Sequence, residues 1–98
     1  MSGYVLACVD KRDLEIYQKY SAQGFVSLQG QDVEVTVAEA PKTLEGQFPG
    51  STLIMLKFKT LDDAQRWYDS DAYQAAIPFR HAAGKTPFVI IFPGMDQA

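Results

Sequence analysis

The chain is poor in the side chains that usually carry metal or redox chemistry: its 98 residues hold one cysteine and one histidine. A lone Cys8 excludes an intramolecular disulfide and a cysteine-rich zinc site. No second histidine exists for a Cys-His or Ser-His relay, and His81 has only Asp69 or Asp71 near it in sequence, which point elsewhere on a helical wheel. No metal and no cofactor are therefore expected. Runs of lysine or arginine are also missing, and the formal net charge is -3. That balance argues against nucleic-acid and anionic-membrane partners. No apolar stretch approaches the roughly 18 residues of a membrane span, and MSGYVLACVDKRD meets Asp10 too soon for a signal peptide. A cytoplasmic protein is the expectation. Glycine-rich phosphate loops are absent too, because Gly46 and Gly50 flank a proline turn that precedes a strand.

What is present reads as one globular domain over residues 1–98, with 47% apolar and 21% charged residues and no linker or repeat. Tyr4 to Val9 is β-prone and apolar on both parities, the pattern of a buried strand. Asp10 to Asp13 then offers helix-start chemistry, and Leu14, Tyr17, Ser21, Phe25 and Leu28 follow at helical spacing. Asp32 to Glu39 alternates, with Val33, Val35 and Val37 facing in, which predicts a half-exposed edge strand. Leu44 to Ser51 is turn-forming, and Thr52 to Phe58 is a third strand. Thr60, with Asp63 three residues on, starts a second helix, and Phe88 to Phe92 is a last strand. The order β-α-β-β-α-β predicts an α+β, ferredoxin-like protomer: a four-stranded antiparallel sheet with two helices on one face.

Two helices cover only one face of such a sheet. Strands one, three and four nonetheless carry apolar residues on both faces: Val5 and Leu6, Ile54 and Met55, Ile90 and Ile91. The second face would expose more apolar surface than a soluble monomer tolerates. A second copy packed sheet to sheet is the simplest cover, so a homodimer is expected.

Between Trp67 and Gly84 lies WYDSDAYQAAIPFRHAAG. Ser70 and Asp71 read as a helix cap, and Pro78 as a bend inside the following helix. On an ideal wheel Ala72, Ala75, Ala76, Phe79 and Ala83 form one small-residue face. Tyr73 and Arg80 share its border two turns apart, with Ile77 beside them, and His81 points away. A phenol and a guanidinium so placed suit a ligand with an aromatic ring and an anionic group. The alternative is that Arg80 pairs with a carboxylate of a partner chain while Tyr73 packs. Tyr20 and Trp67 flank their apolar faces, where they would line a cleft between helices and sheet.

These residues also carry a resemblance. WYDSDAYQAAIPFR resembles the Trp-Tyr-x-Ser-x-x-Tyr-x-x-x-x-x-x-Arg signature of the bacterial "thirteen-thirty" domain-of-unknown-function family, along with Asp10, the spaced Tyr17 and Tyr20, and the Leu44-Glu45-Gly46 turn. Asp71 and the AEAPKT segment depart from its usual pattern. The resemblance implies the dimeric α/β-barrel superfamily, whose relatives include cofactor-free monooxygenases, isomerases, cyclases and haem enzymes. On this reading the chain is a cofactor-independent enzyme for a small apolar or aromatic metabolite. Tyr73 would be its proton donor and Arg80 its anion stabiliser, with Tyr20, Trp67 and Ile77 lining the cleft. A non-catalytic ligand-binding or stress-associated dimer and a purely structural dimer are the rival readings.

Overall fold

The computed structural model describes Met1 to Met95, beginning with a central strand, β1 (Gly3–Lys11). Asp13 next accepts a hydrogen bond from the Ile16 N–H at 3.1 Å and opens helix α1 (Leu14–Leu28). Such a cap satisfies one of the four N–H groups that a first turn leaves free. Gly30, at φ 78°, then turns the chain toward β2 (Val33–Glu39), a left-handed step that costs glycine little. An irregular loop leads to β3 (Thr52–Phe58). Thr60 caps α2 (Leu61–Asp69) through the Asp63 N–H at 3.0 Å, and Ser70 caps α3 (Asp71–Gln74) through the Tyr73 N–H at 3.2 Å. Helix α4 (Ile77–Ala83) and strand β4 (Gly84–Pro93) follow.

The sheet order is β2-β3-β1-β4 with every pairing antiparallel. This is the expected ferredoxin-like α+β protomer, with β2 on an edge. Directly opposed residues share a face, so the register separates the two sides of the sheet. Val5 lies opposite Leu56 and Ile91, and Val35 also lies opposite Leu56; this side receives the helices. Its core joins Val5, Leu56 and Phe58 to Tyr20, Ala64, Trp67, Tyr73 and Ala76. Leu6 lies opposite Met55 and Ile90, and Cys8 opposite Leu53 and Phe88, on the side that no helix covers. Both parities of β1, β3 and β4 are thus apolar for different reasons. One row builds the core; the other has no helix over it.

Four local expectations change. Pro78 is not an interior kink: α3 ends at Gln74, and Pro78 stands in the first turn of the new helix α4. A missing N–H costs nothing there. Tyr73, Ala76, Arg80 and Ala83 keep a three-four-three spacing across the break, so the buried face is centred on the Tyr73–Arg80 side, while Ala75 and Phe79 are exposed. On α1 the structure buries Tyr20 and Ser27 and leaves Leu14 and Phe25 exposed. Val35 and Val37 do face the helix side, yet both are half exposed because α1 stops short of the β2 edge. That uncovered strip becomes the floor of a cavity.

Candidate functional site

The cavity, of about 470 Å³, lies between α1 and the β2–β3 half of the sheet. Val35, Val37, Ile54 and Leu56 form its floor; Tyr17, Tyr20, Phe25 and Leu28 of α1 form one wall. Trp67 and Tyr73 close the side toward α2 and α3. The lining is mainly apolar with a few hydroxyls, the composition usual for a small-molecule site.

Behind this wall lies a buried polar chain. Tyr73 and Tyr20 share a hydrogen bond between their hydroxyls at 2.9 Å, and Arg80 Nη1–H donates to the Tyr73 hydroxyl at 2.6 Å. Arg80 Nε–H donates to Thr86 Oγ1 at 3.1 Å, and the guanidinium carbon stands 5.8 Å from the centre of the Tyr20 ring. Arg80 is only 3% exposed, and among the described residues no carboxylate pairs with it. Trp67 packs tilted against Tyr73, 4.1 Å between ring centres, and donates its Nε1–H to Ser27 Oγ at 3.0 Å. The site is therefore an aromatic wall backed by a buried cation.

Burial raises the Tyr73 phenol above its ordinary value; its neighbour Tyr20 acts in the same direction and Arg80 opposes them. Burial likewise pushes Tyr17 up to about 12, with Tyr20 and Glu39 adding to it. Both groups are neutral hydrogen-bonding phenols near pH 7, not bases. Folding raises these values, so below pH 10 the two phenols add no pH dependence. As the unfolded phenols ionise at about pH 10 the folded state holds more protons, and stability falls through about pH 12. Thermal unfolding followed from pH 9 upward should show this fall, and Tyr73→Phe should make it shallower.

Among the described residues one charged side chain, Glu39, reaches the cavity wall, and sequence reasoning missed it. Glu39 accepts from Lys11 Nζ through both carboxylate oxygens at 2.8 Å, and Thr52 Oγ1–H donates to Oε2 at 2.9 Å. The Lys11 hydrogen bonds hold its carboxyl below the usual value, Thr52 assists, and partial burial opposes. Lys11 Nζ also lies 4.9 Å from the centre of the Tyr17 ring. The signal was available: Glu39 continues the parity of Val33, Val35 and Val37.

Of the residues singled out from sequence, the structure gathers Tyr20, Trp67 and Tyr73 on the cavity wall. Arg80 does not line the cavity but stands behind Tyr73, buried inside the protomer on the helix side. Its expected place at the rim, open to a ligand or to a partner's carboxylate, is thereby corrected. Ile77 packs against the core and does not reach the cavity wall. His81 is exposed, and Cys8 is buried beneath Gly50.

Over residues 2–95 the sequence matches the family described as Domain of unknown function (DUF1330). The chain belongs to this family. As a DUF1330 domain it carries the whole site, from Tyr17 to Arg80, within the matched span. No curated protein matches it in sequence. Among solved structures, a protein of unknown function from Rhodopseudomonas palustris is similar at TM-score 0.75 and 14% identity, covering 98% of this chain and 84% of that one. A dimeric ferredoxin-like protein of unknown function from Jannaschia sp. CCS1 gives 0.72 at 10% identity, covering 96% and 100%. A variant of SnoaB, a cofactor-independent oxygenase from Streptomyces nogalater, gives 0.65 at 8% identity, covering 98% and 93%. The DUF1330 fold is shared with these proteins. No helix among the described residues is long and apolar enough to cross a membrane.

Proposed function

We propose that this DUF1330 protein is a homodimer, paired through the bare sheet faces as a dimeric α/β barrel, in which each protomer binds a small apolar or aromatic metabolite in the α1–sheet cavity. In this reading it acts on that metabolite without a cofactor. Tyr73 is the hydrogen-bond or proton donor to a ligand oxygen, and Tyr20 and Trp67 are wall contacts. Arg80 acts through Tyr73, because its guanidinium makes the phenol a stronger donor as negative charge develops on the ligand.

One observation carries the reading. Among the described residues Arg80 is buried without a carboxylate partner, and its shortest hydrogen bond goes to a tyrosine that lines the cavity. Burying a cation costs several kcal/mol, which an ion pair would normally offset. A structural role alone gives little reason to keep it. A non-catalytic binder is the second reading, favoured by Tyr73 having its hydroxyl engaged by both Tyr20 and Arg80.

A metabolite-library thermal-shift screen, followed by titration of the fluorescence of Trp67, the sole tryptophan, tests for a ligand. For a ligand so found, Tyr73→Phe should weaken binding by about 0.5–1.5 kcal/mol, the value of one neutral hydrogen bond. Arg80→Met should cost no more, and the double variant no more than the larger single loss, because both act at one hydroxyl. Chemical denaturation of Arg80→Met should stay within about 1 kcal/mol of wild type, the lost hydrogen bonds to Tyr73 and Thr86 being offset by the relieved burial of the cation. A fall of several kcal/mol would assign Arg80 to the architecture instead. Turnover of the ligand by the wild type, lost in Tyr73→Phe, separates the enzyme from the binder.

A further inference from the structure

The cavity is not symmetric along its length. It follows α1 from Tyr17 to Leu28, a span of about 16 Å at the helical rise. The Leu28 end is walled by Trp67 and aliphatic side chains. At the Tyr17 end stands Glu39, the single charged residue on the lining among the described residues. Its carboxylate is fixed rather than free: Lys11 reaches both oxygens and Thr52 reaches Oε2. A carboxylate has about four acceptor positions, so these three contacts leave one for a further donor. Its side chain is 60% exposed, which places it at the mouth of the cavity.

We propose that Glu39 selects the orientation of the ligand, and that the cavity takes an elongated, largely apolar molecule whose end at Glu39 is an uncharged hydrogen-bond donor, a hydroxyl. This rests on the reading of the cavity as a ligand site. The chemistry excludes the alternatives in turn. A carboxylate or phosphate end would face an acceptor-only group of like charge. An ammonium end would meet Lys11, whose Nζ already lies 2.8 Å from both Glu39 oxygens. An ether or ketone end offers no proton for the remaining acceptor position. A hydroxyl donates to Glu39 and leaves the Lys11 pair intact. The other polar contact, the Tyr20–Tyr73 pair, lies further along the same wall. Glu39 thus sets which end of the molecule enters last, and Tyr73 meets an oxygen nearer its middle.

Displacement of the apolar dye N-phenylnaphthylamine from the dimer tests this with three ligands of matched chain: decanol, decyl methyl ether and decanoate. In wild type, decanol should displace the dye at a concentration about five- to tenfold lower than the ether, as one partly exposed hydrogen bond to a charged acceptor allows. Decanoate should be the weakest. In Glu39→Leu the gap between alcohol and ether should close to within about twofold, and decanoate should improve. Glu39→Gln, which keeps an acceptor oxygen, should retain part of the gap, and it carries the test if Glu39→Leu melts abnormally. A gap that survives in both variants, or is absent in wild type while all three ligands displace the dye, overturns the role of Glu39 and leaves the cavity standing as a ligand site. Failure of the dye or of every ligand to bind overturns the cavity reading and this inference with it.

Discussion

Replacing Trp67 by alanine should lower the free energy of unfolding by about 3–5 kcal/mol, the range for deleting a buried tryptophan. Trp67 is 5% exposed and lies between Phe58, at 5.7 Å between ring centres, and Tyr73, at 4.1 Å. It ties β3 to α3 and, through the hydrogen bond to Ser27, α2 to the last turns of α1. Removing the indole leaves a void beside a cavity that is already large. Neighbouring rings held by Tyr20 and Arg80 have little freedom to collapse into it. Trp67→Phe keeps a ring in place and loses one hydrogen bond, so it should cost about 1–2 kcal/mol. Urea unfolding followed by circular dichroism measures both, since the alanine variant has no tryptophan to report. A loss under about 1.5 kcal/mol for Trp67→Ala would mean that the aromatic wall relaxes freely. A rigid, preformed pocket would then be ruled out.

The features legible in the sequence are those set within a few residues. Thr60 and Ser70 each cap the N–H three positions on, a geometry that needs nothing from the rest of the chain. Strand parity is equally local, so the two-sided rows of β1, β3 and β4 emerged without knowing the order of the strands. The misreadings arose where one element's position over another decides the outcome. A wheel drawn through Asp71 to Ala83 keeps its register across the break, because Ala75 and Ala76 remain helical, but it does not record which side the rest of the fold covers. Tyr73 and Arg80 stayed together because they share a side of both short helices. They moved from the border to the interior, and Ile77 lost its place beside them. Which side of α1 is buried depends on its packing against α3 and α4, where Tyr20 meets Tyr73 and Arg80, and no periodicity records that. Tyr20 is buried for that reason, and Leu14 and Phe25 are not. Glu39 was legible by parity; it passed unread because a charged residue ending an edge strand usually faces water.

Placing a carboxylate on the bare side of the sheet should break the assembly. Leu6, Leu53, Met55, Phe88 and Ile90 lie there in adjoining rows, and Ile90 alone is 46% exposed in the single chain. Wild type should scatter light at micromolar concentration as about twice its 10.9 kDa mass, because no helix covers these rows. Met55 stands opposite Leu6 near the middle of the face. In an isologous pair the Met55→Asp change enters from both copies, each leaving a carboxylate without a partner in an apolar contact. The dissociation constant should rise on the order of 100-fold or more, equivalent to about 2.7 kcal/mol. The protomer itself should remain folded, because Met55 points away from the Val5–Leu56–Trp67 core. Val35→Asp is the matched control: it puts the same charge on β2 but on the cavity side, so it should leave the dimer intact and disturb only the pocket. Sedimentation of the three proteins at equal concentration decides the matter. A monomeric wild type, or a Met55→Asp variant as dimeric as Val35→Asp, would remove the sheet-to-sheet pairing from this fold.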